Sequence, residues 1–107
     1  MVDYELDELK REFLAEALEK VREIQTALDG ERSSQTIDRL AYLAHQLKGA
    51  GGSYGYARIS TDAAELEKAF ERLATAGADA TLEAKIQQHA VNLDAEIGKR
   101  TRELATA

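Results

Sequence analysis

Apolar residues recur at three- and four-residue steps along almost the whole of this 107-residue chain, and no proline interrupts them. Steps of that size return a side chain to the same face of an α-helix, so the pattern commits each stretch to an amphipathic helix. Proline would break such a helix, and the abundance of alanine with few β-branched residues favours it further. The first stripe runs through Leu6, Leu9, Phe13, Ala17, Val21, Ile24 and Leu28, with Asp3 as the expected N-cap. Acidic residues fill its first turn, and Gly30 is expected to end it in a left-handed conformation. The second holds Ile37, Leu40, Ala44, Leu47 and Tyr54, capped by Ser33 or Ser34. The third passes Ile59, Ala63, Leu66, Phe70 and Leu73 and stops at Gly77. The fourth opens at Asp79 or Thr81 and follows Leu82, Ile86, Ala90, Leu93 and Ile97 towards Leu104. Gly98 lies inside it, at a cost of about 1 kcal/mol relative to alanine.

Short connections at 30–33, 53–56 and 77–79 make successive helices antiparallel neighbours. The expected fold is all-α, an antiparallel up-down-up-down four-helix bundle. Residues 1–107 are expected to form a single domain, since no linker, low-complexity segment or repeat divides them.

Composition narrows what such a bundle can do. The longest apolar run, Leu40-Ala41-Tyr42-Leu43-Ala44, is far short of the roughly 20 residues of a membrane helix. No basic-then-apolar leader opens the chain, so a cytoplasmic location without a membrane partner is expected. The lack of cysteine excludes disulfides and thiolate metal sites. Fourteen basic against twenty acidic residues give a net charge of −6, which argues against a nucleic-acid partner. Neither a dimer stripe nor a heptad seam is evident, so a monomer is expected. The run Gly51-Gly52-Ser53-Tyr54-Gly55 spells Gly-x-Ser-x-Gly but follows a helix, not the strand a nucleophile elbow needs; there is no Gly-Lys-Ser/Thr phosphate loop, and no independent kinase activity is expected.

Glycine use departs from this regularity. Gly49, Gly51, Gly52 and Gly55, four of the seven glycines, fall within seven residues at the end of the second helix. Each glycine in a helix interior costs roughly 0.5–1 kcal/mol relative to alanine, so stability alone does not explain them. Close helix–helix contact or fraying at a helix end is one reading; clearance for a visiting molecule is another.

The histidine in that helix favours clearance. At 100° per residue, His45 points roughly 130° away from the centre of the apolar arc. Its helical neighbours are Ala41, Lys48, Gly49 and Gly52, three of them tiny, so the imidazole stands above its surroundings. Lys48 is either a solvated surface lysine or a cation within reach of an anion carried by the ring; phosphorylation would supply nearly two negative charges there. A metal site would want His or Glu one turn away, and Ala41, Tyr42, Lys48 and Gly49 offer none. His89, beside Lys85 and Leu93, reads as a surface or boundary residue.

The run Ala44-His45-Gln46-Leu47-Lys48-Gly49, followed by Gly55, Ile59, Ala63, Leu66 and Glu67, resembles the signature of histidine-containing phosphotransfer (HPt) domains of two-component phosphorelays. That family is a four-helix bundle with its phosphorylated histidine on the second bundle helix, so the resemblance covers nearly the whole chain. It implies that His45 accepts a phosphoryl group on Nε2 from a receiver-domain aspartyl phosphate and passes it to another receiver's aspartate. It implies further that Lys48 offsets phosphate charge and that Ala41, Gly49 and Gly52 leave clearance for the partner. Glu67 occupies the position from which some members hydrogen-bond Nδ1; it could equally be a surface residue. An acceptor there fixes the proton on Nδ1 and frees the Nε2 lone pair. Response-regulator receivers are the implied partners, with a hybrid histidine kinase upstream. No intrinsic cofactor is implied, the divalent metal being held by the receiver.

The stretch Gly51-Gly52-Ser53-Tyr54-Gly55-Tyr56 is also similar to chemotaxis kinases, which often carry a further histidine where this chain reads Asp62-Ala63-Ala64-Glu65. Two alternatives therefore stand beside the relay: the phosphotransfer domain of a larger chemotaxis-type kinase, and a binding-only bundle that is never phosphorylated.

Overall fold

The computed structural model describes residues 4–106, four α-helices in sequence. They are α1 (Tyr4–Leu28), α2 (Ser34–Ser53), α3 (Ala57–Ala76) and α4 (Ala80–Thr106). Each packs against its two neighbours around a ring, α1 on α2 and α4, α3 on α2 and α4, which is the antiparallel up-down-up-down bundle. The apolar stripes meet in one core whose largest fully buried members include Phe70, Leu14, Ile24, Leu40, Leu47, Leu66, Ile86 and Ile97.

Cap chemistry sets the helix ends. Ser33 caps α2, its hydroxyl accepting from the Thr36 amide at 3.1 Å. Asp79 rather than Thr81 opens α4, with Oδ1 accepting from the Leu82 amide at 2.8 Å. Between α2 and α3 the Tyr56 amide donates to the Gly51 carbonyl (2.8 Å) and the Gly55 amide to that of Gly52 (3.1 Å). This is a Schellman closure with Gly55 at the left-handed position, φ +80°. Gly77, φ +81°, ends α3 with its amide on the Leu73 carbonyl.

Two expectations for α1 are corrected. Gly30 does not take a left-handed conformation; the amides of Asp29 and Gly30 instead close back onto the carbonyls of Thr26 and Ala27. Arg32 then donates to the Leu28 carbonyl and pairs with Glu83 of α4, tying down that end of the bundle. Leu6 and Leu9 do not join the core, being 41% and 47% exposed. The reason is length: α1 and α4 have 25 and 27 residues and α2 and α3 only 20 each. The α2–α3 turn meets α1 at Phe13, whose ring stacks on Tyr54 (5.0 Å) and Tyr56 (5.9 Å). On the N-terminal side of that aromatic clamp α1 runs beside α4, Arg11 donating to the Leu104 carbonyl. The N-cap expected at Asp3 lies outside the described residues.

Candidate functional site

The middle of α2 presents a polar strip between its two core-facing edges. Leu40, Leu43, Ala44 and Leu47 are buried, whereas the His45 side chain is 62% exposed. The ring is held nonetheless. Its Nδ1 donates to Glu67 Oε2 at 2.8 Å, across from α2 to α3. The other oxygen of the same carboxylate, Oε1, accepts from Lys48 Nζ at 2.6 Å. Glu67 thus joins the histidine and the lysine, and it is itself only 14% exposed.

The electrostatics of Glu67 decide the state of the ring. Burial acts to raise its pKa, but the hydrogen bonds from Lys48 and His45, aided by their charges, outweigh burial and hold the carboxyl below its ordinary value. An ionised carboxylate can only accept, so Nδ1 carries the hydrogen. In the neutral ring the lone pair is therefore on Nε2, which has no protein partner among the described residues.

The glycines divide into different roles. A Cβ at Gly51 would sit 3.1 Å from Ile59 Cγ2 and 3.1 Å from the Ser60 amide nitrogen, so this glycine lets α2 and α3 approach closely. A Cβ at Gly49 would meet nothing within 4 Å, and one at Gly52 only Ser60 Oγ at 3.5 Å. Gly49 and Gly52 are exposed beside His45, and Ala41 is half-buried one turn before it. The space above the imidazole is open on those sides.

A family model described as Hpt domain matches residues 8–99. The chain belongs to the Hpt domain family. No curated protein and no solved structure gave a match. Family membership carries histidine phosphotransfer in two-component phosphorelays, in which Hpt domains interact with receiver domains. Both the suspected family and the expected four-helix architecture are thereby established.

Several contacts of this Hpt domain were not legible in its sequence. Ser60 Oγ donates to the Lys48 carbonyl at 2.9 Å and pins α3 to α2 beside the site. On the opposite flank of His45, Gln46 Nε2 donates to the Tyr42 hydroxyl at 2.7 Å. Arg39 lies 5.8 Å from the centre of the Tyr42 ring and is gripped by Glu23 of α1. The Ser60 and Arg39 contacts join different helices, so no spacing within one helix would single them out. His89 is half-buried, at the boundary between core and surface, with Nδ1 3.1 Å from Asp62 Oδ1 across α3 and α4. Among the described residues no group of three or more His, Cys, Asp or Glu side chains could hold a metal ion. No helix among them is long and apolar enough to cross a membrane.

Proposed function

We propose that the domain is a phosphorelay intermediate in which His45 Nε2 takes a phosphoryl group from a receiver's aspartyl phosphate and later gives it to the aspartate of another receiver. The observation that carries this reading is an imidazole fixed through Nδ1 yet open at Nε2. In the forward step the Nε2 lone pair attacks phosphorus in line with the aspartyl oxygen. A P–N bond forms, the P–O bond to aspartate breaks, and aspartate leaves as a carboxylate. No proton need move, because the ring keeps its hydrogen on Nδ1. The ring gains positive charge in this step, and the Glu67 carboxylate on Nδ1 stabilises it. In the return step a receiver carboxylate attacks phosphorus and the imidazole leaves with its lone pair restored to Nε2.

Lys48 supplies the counter-charge. It is paired with Glu67 in the unphosphorylated domain and lies one helical turn from His45, from where its ammonium can turn to a phosphoryl oxygen. Ala41, Gly49 and Gly52 give the receiver room to bring its aspartate up to the ring. The receiver contributes the aspartate and a divalent metal, which provides charge stabilisation for a reaction that depends chiefly on alignment and electrostatics. This reading has the domain working as a cytoplasmic monomer, downstream of a hybrid histidine kinase.

The test is transfer of label from a phosphorylated receiver domain. The wild-type domain gains phosphate, while His45→Gln, which replaces an exposed side chain and so leaves the fold intact, gains none. Undiminished labelling of His45→Gln would move the chemistry to another residue. Association without labelling of the wild type would instead identify a binding-only bundle.

A further inference from the structure

The two flanks of His45 differ in chemistry. At 100° per residue, Lys48 lies about 60° to one side of the histidine around α2 and Tyr42 about 60° to the other. The Lys48 flank, facing α3, is charged and tied to Glu67. The Tyr42 flank, facing α1, carries a large ring that is 52% exposed although it sits among the polar residues of an outward-facing strip.

That ring is not free to wander. Gln46 holds its hydroxyl at 2.7 Å, and the Arg39 guanidinium lies 5.8 Å from its centre. Arg39 is in turn held by both carboxylate oxygens of Glu23, at 2.9 and 3.3 Å. Tyr42 is thus an exposed aromatic side chain whose orientation is set before any partner arrives. An aromatic ring of this kind forms a strong anchor in a protein interface, because little side-chain freedom remains to be lost on binding. Gly49, one turn past His45 on the same strip, has open space where a side chain would stand.

We propose that Tyr42 is the specificity-determining residue of this domain, the anchor against which a receiver seats an apolar patch bordering its phosphoryl-bearing aspartate. This rests on the relay reading above, since any receiver that brings its aspartate to His45 must cover the neighbouring strip of α2. The charged flank then handles the phosphoryl group, whatever the receiver, and the aromatic flank sorts receivers by what they place beside the aspartate. A receiver with a charged residue at that point would bury it unpaired against the ring and be rejected.

The experiment measures initial transfer rates from a receiver domain charged with acetyl phosphate, as a function of receiver concentration. The receiver chosen is the one that labels the wild-type domain fastest. Tyr42→Ala is expected to raise the half-saturating concentration at least about tenfold while the saturating rate stays within about twofold. Tyr42→Phe, which keeps the ring, should remain within about threefold of wild type in both. Val91→Ala, which removes an exposed apolar side chain from α4 rather than α2, should change neither. An unchanged half-saturating concentration in Tyr42→Ala overturns the proposal and leaves the relay standing. So does a loss confined to the saturating rate, which would put Tyr42 in the chemistry. A Tyr42→Phe defect as large as that of Tyr42→Ala overturns the apolar contact in favour of one through the hydroxyl. If no receiver labels the wild-type domain, the relay reading itself fails and this inference with it.

Discussion

The chemistry of the domain converges on one carboxylate. Glu67 accepts from His45 through one oxygen and from Lys48 through the other, so neutralising it disturbs both partners at once. Glu67→Gln retains the shape but offers a single acceptor, and the ring then loses its fixed Nδ1–H tautomer. Nitrogen NMR of His45 should show the two tautomers becoming mixed, and the saturating transfer rate should fall about tenfold, or roughly 1.4 kcal/mol. A stability effect accompanies this, and its sign follows from the lowered pKa. A carboxyl depressed in the folded state stabilises the protein fully above its unfolded pKa of about 4.3, and that contribution disappears as pH falls through the native value. Wild type should therefore exceed Glu67→Gln by on the order of 1 kcal/mol in urea unfolding at neutral pH. The gap should close in acid; a gap that persists there would mean that Glu67 acts through packing and not charge.

At the scale of the helix, the glycines at the end of α2 separate packing from clearance. Gly51 faces α3 so closely that an added methyl must push Ile59 or the backbone of Ser60 aside. Gly51→Ala should destabilise the domain by about 1–3 kcal/mol, as overpacking does. Gly49 faces open space, and Gly49→Ala should stabilise it by roughly 0.5–1 kcal/mol through helix propensity. Thermal or urea unfolding of the two variants decides this; equal and opposite placement on one helix makes each the control for the other. The amino-acid sequence displayed all four glycines together but not this division, because which of them faces α3 depends on how closely two helices pack. The sequence does display His45, Lys48 and the small residues near them, since they lie on one helix and their spacing is fixed by its pitch. The Ser60–Lys48 and Glu23–Arg39 contacts had no such signal, because their partners lie on different helices and meet only when those helices dock.

The whole molecule is a bundle of unequal helices, 50 × 20 × 18 Å in extent. Its long pair, α1 and α4, runs past the aromatic clamp of Phe13, Tyr54 and Tyr56, and the stripe of α1 continues there without α2 and α3 to cover it. Leu9→Ala should accordingly cost less than about 1 kcal/mol, whereas Leu14→Ala, inside the clamp, should cost about 2–5 kcal/mol. Comparable losses at the two positions in chemical denaturation would show that the overhang is stabilised as part of the core. Helix count, helix order, antiparallel topology and the outward placement of His45 were determined by the sequence itself. All of them follow from local periodicity and short connections, which need no knowledge of distant residues. Tertiary structure alone decided where the core stops along α1, which glycine serves packing, and that Glu67 closes on both His45 and Lys48. Those outcomes depend on relative helix lengths and on ångström-scale distances between different helices, which no single-helix pattern encodes.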